Sequence, residues 1–380
     1  MRIVAVSDVH LDHRRFDSRD SQGRSSAIQS TLNCFNAAVG YAIDTKADAF
    51  VSTGDETLNG RPAPEIVELF ADAFRRLTAA GIPVIDVVGN HSLYGGIAIG
   101  ERTFNHRYRD ISGVHVIDGA GVVRLPSGLQ IAGIAWPRRG EHGGNDNVAS
   151  TWVVEQLDQL ATEIGDGPAI LAGHLAIADA RIHRGSEQTI RSVFREPMID
   201  VAHLEFGPWS HVVLGHIHLR QAIGTKTHYV GSIDRIDFAE AGDAKGWSDI
   251  NTDTGIVTFH ESPARPLVIL DGSQPIGDLP EGAVVKVICP PGERLPSKEI
   301  RTAIADAGGI VASTVAHTGP HQPQLDHAGK PTTVEAPTLP ENVSAMDGLT
   351  VWLATQTFAP ATRDRLMDAA RKLAEEATHA

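Results

Sequence analysis

The chain is poor in cysteine, in long apolar runs and in positive charge, and each shortage excludes a class of protein. Cys34 and Cys289 are the only cysteines in 380 residues. Neither has a thiol motif around it, so a disulfide-stapled scaffold is excluded and both read as buried core thiols. No apolar stretch approaches membrane-spanning length, which makes Ile3 to Val6 a strand and not an anchor. The first twenty residues lack the basic, apolar and small-residue zones of a signal peptide. The expectation is a reducing, cytoplasmic setting without membrane association.

Basic residues number 33 against 47 acidic ones, a formal net charge of −14. Proteins that bind nucleic acid unaided carry a basic face, because phosphate contacts dominate their affinity. A chain this acidic can still act on DNA if bound metal ions supply local positive charge or a partner supplies affinity. Hydrophobic residues at 42 % and charged residues at 21 % are ordinary for a globular protein, and the length allows a main domain with one or two smaller units.

What the sequence does contain is a series of apolar runs that each end on polar, metal-competent residues. The most informative is Val212-Val213-Leu214 followed by Gly215-His216-Ile217-His218, which delivers two imidazoles two residues apart. Arg2 to Ser7 ends in Asp8-Val9-His10, Ala49 to Thr53 ends at Gly54-Asp55, and Val84 to Val88 ends at Gly89-Asn90-His91. Ala169 to Ala172 ends at Gly173-His174. Taken singly, an Asp opening a loop or a surface His pair explains each of these equally well.

Between the runs lie helical patterns. Ile28, Leu32, Phe35, Val39 and Ala42 form one apolar stripe over Ser26 to Ala42; Ile66, Leu69, Phe70, Ala73, Phe74 and Leu77 form another over Glu65 to Ala80, closed by Gly81 and Pro83. Strand and helix alternating over short links predict a parallel α/β sheet, whose active crevice lies at the carboxyl ends of the strands. All the polar motifs fall at that edge, which argues for one shared site.

From Val114 to Ile134 short strands and Gly turns predict antiparallel hairpins, and Arg138 to Asn147 predicts a mobile loop near the site. Thr151 to Ile164 reads as a helix. After a boundary at Pro263 to Pro266, strands at Leu267 to Leu270, Ala283 to Ile288 and Ile310 to Val315, with a helix at Ser297 to Ala307, predict a small α+β unit over 263–316. Residues 317–341, rich in Pro, Thr, His and Gly, read as a linker in which His317, His321 and His327 are solvated. The tail, 342–380, is helical, with Leu366, Ala370, Leu373 and Ala377 on one stripe, suited either to packing back or to docking on a partner. No internal repeat is present.

Collected, the strand-end residues are Asp8, His10, Asp55, Asn90, His91, His174, His216 and His218. Seven candidate ligands besides His91 exceed what one ion takes, so two divalent ions sharing a carboxylate fit better, with Asp55 as the natural bridge. Imidazole, carboxylate and amide donors without thiolate suit Mn, Fe or Zn. Two such ions, about 3.5–4 Å apart, clamp a phosphate oxygen pair, lower the pKa of a water and neutralise charge as phosphorus is attacked. His91, beside a ligand, suits protonation of the leaving oxygen.

The ordered set Asp8-Val9-His10, Gly54-Asp55, Gly89-Asn90-His91, Gly173-His174 and Gly215-His216-Ile217-His218 resembles the calcineurin-like metallophosphoesterase superfamily. The resemblance implies a four-layer α/β/β/α sandwich. It implies that Asp8, His10, Asp55 and His218 hold one ion and Asp55, Asn90, His174 and His216 the other, with His91 catalytic.

A narrower resemblance rests on Asp8-Val9-His10-Leu11, Arg61-Pro62-Ala63-Pro64, Gly231-Ser232-Ile233-Asp234-Arg235 and Lys245-Gly246. These are similar to SbcD-type DNA nucleases of the recombination and repair apparatus. That resemblance implies manganese, a homodimer formed near Glu65 to Leu77, a DNA-capping unit after Arg265, and an SbcC-like SMC-type ATPase bound by the tail. The chain departs from the pattern at Ser92, where an acidic residue is usual, at Val230 in place of Pro, and at Leu58.

The leading reading is a manganese-dependent DNA phosphodiesterase acting as exonuclease and endonuclease. A small-substrate phosphoesterase, such as a cyclic-nucleotide phosphodiesterase or phosphatase, is the alternative that the −14 charge favours. A silent scaffold for DNA ends or the ATPase is the third, supported only by Ser92 and Leu58.

Overall fold

Successive side chains of a strand point to opposite faces, so a strand buried on both faces must be apolar throughout. The first strand, β1 (Arg2–Val6), shows the consequence. Val4 and Val6 pack with Phe35, Phe50, Phe70 and Phe74. Ile3 and Ala5 enter a different core with Val51, Ile85, Ile170 and Val213.

The computed structural model describes residues 1–93, 103–182, 196–274, 276–289, 296–316 and 367. The chain divides into two compact units, Met1–His317 and Thr318–Ala380. The expected linker histidines and the apolar tail stripe lie outside the described residues.

After β1 come α1 (Ser26–Asp44), β2 (Ala49–Ser52), α2 (Pro64–Ala79), β3 (Val84–Val87) and β4 (Val114–Ile117). Next are β5 (Ala120–Arg124), β6 (Gln130–Ile134), α3 (Asp146–Glu163), β7 (Ala169–His174), β8 (Ala176–Ile177) and β9 (Met198–Ile199). The short α4 (Ala202–Glu205), β10 (His211–Gly215), β11 (Gln221–Ala222), β12 (Thr227–Tyr229), β13 (Gly246–Asn251) and β14 (Ile256–Glu261) complete the main body. Helix ends follow local chemistry: the Ser25 hydroxyl accepts from the Ile28 amide at the start of α1, and Pro64 occupies the first turn of α2, where no amide proton is needed.

Two six-stranded sheets result, ordered β14-β13-β1-β2-β3-β4 and β11-β12-β10-β7-β6-β5. Within them β1, β2, β3 and β4 are parallel neighbours, as are β6, β7, β10 and β12. Helices α1 and α2 cover one sheet through Phe35, Phe70 and Leu77, and α3 covers the other through Val153, Leu157 and Leu160. The inner faces meet through Val51, Ile85, Ile131, Ile170 and Val213. The layers therefore run α/β/β/α around three cores. Cys34 and Cys289 are buried and free, as expected.

Two local expectations are corrected. Val114 to Ile117 is no hairpin arm but adds to β3 in parallel, whereas β5 and β6 do form a hairpin, in the other sheet. The chain changes sheets at Asp118-Gly119, a step that local patterning cannot reveal because the same β-branched residues suit either partner. The stretch from Arg138 is also not a plain loop, for Arg139–His142 forms a 3₁₀ turn and α3 starts at Asp146.

Beyond β14, the strands β15 (Leu267–Asp271), β16 (Val284–Cys289) and β17 (Ile310–Ala316) form a parallel three-stranded sheet with α5 (Lys298–Asp306), close to the expected ranges. Among the described residues, no helix is long and apolar enough to cross a membrane.

One buried histidine should make the stability of the main body fall in acid. His13 is fully buried against the Thr31 hydroxyl, and burial, followed by the nearby Arg265 charge, holds it down to about 3. Unfolding restores a pKa near 6.5, so between pH 6.5 and about 3 the unfolded chain binds one more proton and stability falls as pH falls. The H13Q variant should lose about 1.4 kcal/mol less per pH unit over that window. Urea titrations at pH 6.5 and 4.5 would measure it, and equal slopes would refute the assignment.

Candidate metal centre

The carboxyl ends of β1, β2, β3, β7 and β10 converge, and all eight candidate residues leave from them. Convergence demands unusual backbone. Six non-glycine residues among those described have positive φ, and four of them are Asp8 (46°), His10 (46°), Asp55 (58°) and His216 (101°). Such conformations are costly for L-residues and persist where surrounding structure enforces them. Here the Asp8 amide donates to the Gly54 carbonyl at 3.0 Å and the His10 amide to the Asp55 carbonyl at 3.0 Å, so β1 and β2 lock each other's exits.

The glycines of the motifs are required by close approach. A Cβ on Gly89 would lie 2.2 Å from Asp55 Oδ1, and one on Gly215 would lie 2.3 Å from both Ser7 Oγ and the Thr53 carbonyl. Any side chain at either position would push a candidate ligand out of place.

Four imidazoles share one arrangement. His10 Nδ1–H donates to the Thr57 carbonyl at 3.3 Å, His174 Nδ1–H to the Thr53 carbonyl at 2.7 Å, and His218 Nδ1–H to Glu240 Oε1 at 2.9 Å. In His216 the roles reverse, with Nε2–H on Glu196 Oε2 at 3.0 Å. In each ring one nitrogen is spent outward and the other turns inward, toward the cluster. His10 Nε2 and His218 Nε2 face each other at 3.1 Å. His174 Nε2 and His216 Nδ1 both face Asn90 Oδ1, at 2.9 and 3.2 Å. Ring nitrogens that face each other this closely in a buried place share either a proton or a cation. The donor set fits two cations of the kind that take imidazole and carboxylate.

Carboxylates complete the cluster. Asp8, His10 and His218 offer donor atoms within 4.8 Å of one another, and so do Asp8, Asp55 and His174. Asp8 is thus common to both triads, while Asp55 Oδ2 stands 3.4 Å from His174 Nε2 and 4.0 Å from His10 Nε2, facing imidazoles of both. Burial alone would raise the Asp55 carboxyl, but His174 and His91 outweigh it and hold the group well below the usual range. Burial would lower His174, yet the Asp55 charge lifts it to about 9. Burial, with His218 next, keeps His10 well below its ordinary value and neutral, as a ligand must be.

His91 stands beside the triads. Its backbone amide donates to Asp55 Oδ1 at 2.8 Å and its Nδ1–H to the Leu58 carbonyl at 2.8 Å, with its ring edge-on to His10 at 5.2 Å. Leu58 therefore serves the site through its backbone, which any side chain can supply. Ser92 is buried and donates to Glu56 Oε2 at 2.9 Å; Glu56 also accepts from Ser52 and Asn105. This network begins at the residue next to Asp55 in the chain. Val230 donates its amide to the Leu214 carbonyl at 3.0 Å, a bond that proline could not make.

Several neighbours left no signal in the sequence. Trp136 walls the site, 4.6 Å from the His216 ring and 5.9 Å from that of His174. Glu240 and Glu196 hold the outer nitrogens of His218 and His216, and Asp12 accepts from the Leu58 amide. They lie outside the motifs, on connecting segments whose path only the fold defines.

Residues 1–220 match the family model of the calcineurin-like phosphoesterases. Over 97 residues the chain is 36 % identical to the DNA double-strand break repair protein Mre11 of Haloferax volcanii, a match covering 25 % of this chain and 20 % of that one. The chain thus spans about a fifth of that relative's length. Among solved structures, a dimetal phosphatase from Danio rerio aligns with a TM-score of 0.37 and 11 % identity, over 66 % of this chain and 91 % of that one. With its family model spanning the strand ends that meet at the cluster, the chain belongs to the calcineurin-like phosphoesterases, metal-dependent hydrolases of phosphoesters that use a dinuclear divalent centre.

Proposed function

We propose that this chain is a two-ion DNA phosphodiesterase acting in break repair or recombination. The observation that carries the choice of DNA is the 36 % match over 97 residues to a DNA double-strand break repair protein. In this reading Asp8, His10, Asp55 and His218 hold one ion, and Asp55, Asn90, His174 and His216 hold the other. Manganese is the ion that the SbcD-like motifs favour. The ions would supply positive charge to a phosphodiester and acidity to a water.

The chain's own residues do the rest. Asp55, kept ionised, draws the two halves together. His91, with Nδ1 given to Leu58, keeps Nε2 for proton transfer to the leaving oxygen. Trp136 limits solvent on one side. The small parallel sheet within 263–316 acts as a capping unit, residues 317–341 as a linker and 342–380 as the docking tail for an SbcC-like ATPase, which supplies the DNA affinity that a −14 chain lacks. A homodimer through α2 belongs to the same reading.

The acidic balance favours a second one, a small-substrate phosphoesterase. End-labelled linear duplex and hairpin DNA should be degraded with Mn²⁺, and H91A should abolish cutting. Hydrolysis of bis-p-nitrophenyl phosphate or a cyclic nucleotide with DNA intact, even after addition of an SbcC-like ATPase, would favour the second reading. Ion binding without turnover of any of these would leave a silent scaffold.

A further inference from the structure

Lys245 is a lysine buried to 2 % exposure, and no step described above uses it. Its ammonium lies 3.0 Å from Glu240 Oε2, 3.2 Å from Asp243 Oδ2, 2.8 Å from Ser232 Oγ and 3.1 Å from the His218 carbonyl. Glu240 is equally buried. Its Oε1 meets His218 Nδ1 at 2.9 Å, and its Oε2 also accepts the Ile236 amide at 3.3 Å. A buried charge pair is weak evidence for stability, because desolvation offsets its attraction. This one is aimed. Lys245 holds both the backbone of His218 and the carboxylate that grips the His218 ring.

Glu240 also stands on a short turn with a second attachment. Phe238–Glu240 is a 3₁₀ turn started by Asp237, whose side chain accepts from the Ala239 amide and pairs with Arg15 at 2.6 Å. Phe238 meets the tilted ring of Phe16 at 4.6 Å and packs with Leu267 and Val284, which belong to β15 and β16 of the small sheet. Farther along, Arg235 donates to the Ala264 and Arg265 carbonyls, just before β15. One rigid turn thus touches the small sheet at its first residue and a candidate metal ligand at its last.

We propose that Glu240, held by Lys245, is the positioning residue that fixes the His218 ring for metal binding, and that packing of Phe238 against the small sheet seats it. The inference rests on reading the cluster as a metal centre. Partners that orient a metal-bound histidine are worth about 10–100-fold in metal affinity. The small sheet then sets the affinity of the ion held by His218 and leaves the other ion unaffected.

Calorimetric titration of the metal-free full chain with Mn²⁺ tests both levels. The unsubstituted chain should bind two ions, and failure to do so would overturn the metal reading itself. E240L, which keeps the volume but removes the acceptor, should bind one ion about 10–100-fold more weakly and the other as before. E240Q retains an amide oxygen for His218 Nδ1–H and should recover most of that loss. F238A should weaken the same ion by a smaller factor.

Two ions bound normally by E240L, or E240Q as weak as E240L, would overturn the role of Glu240. Unchanged binding by a folded F238A would overturn the seating by the small sheet. Should E240L fail to fold, ¹⁵N-histidine spectra of the unsubstituted metal-free chain decide the point. His218 should show its Nδ1 hydrogen-bonded to a carboxylate in the metal-free chain, and an Nδ1 without that hydrogen bond refutes the proposal.

Discussion

Replacing His91 with alanine is expected to lower hydrolysis of bis-p-nitrophenyl phosphate by about 10²–10⁴-fold, the range for removing a positioned general acid, with both ions still bound. The separation of the two effects follows from geometry. His91 supports the cluster through its backbone amide on Asp55 Oδ1, which alanine preserves, whereas its ring is held by the Leu58 carbonyl and only stacks edge-on to His10. Kinetics beside metal analysis of the same sample would measure both. Full activity in H91A would remove His91 from the chemistry. Loss of an ion together with activity would make it a ligand instead.

Replacing Asp55 should have the larger effect on metal. D55A removes the carboxylate oxygen that faces His174 at 3.4 Å and His10 at 4.0 Å, so both ions should weaken by more than about 100-fold and turnover should disappear. His174 should fall from about 9 toward its buried, neutral state, since the Asp55 charge is what raises it. The competing bridge is Asp8, which shares both triads. Loss of one ion only in D55A, with loss of both in D8A, would transfer the bridging role to Asp8. Titration with Mn²⁺ followed by calorimetry distinguishes these results.

Much of this site was readable in one dimension because each candidate follows an apolar strand. A parallel strand buried on both faces must be apolar along its length, and its carboxyl end is where the sheet opens to solvent. Asp8, Asp55, Asn90, His174 and His216 therefore announced themselves by position as much as by type. The glycines before Asn90 and His216 were visible too, although their reason was not: only coordinates reveal that a Cβ there would strike Asp55 or Ser7. Ser92 and Leu58 looked like departures because a sequence records side chains. In the structure Leu58 acts through its carbonyl, and Ser92 joins a buried network through Glu56.

The sequence by itself determined the main strands and helices, the strand-end chemistry and the family to which they belong, because periodicity and motif order are local properties. The tertiary structure decided the division into two sheets, the parallel placement of β4, the positive-φ backbone of four candidate ligands and the partners of their outer nitrogens. Each of these depends on contacts between residues far apart in the chain. Glu240 is 22 residues from His218, and His10 is 208 from it. No local pattern encodes such pairs, since it is the packing of three cores that brings them within reach.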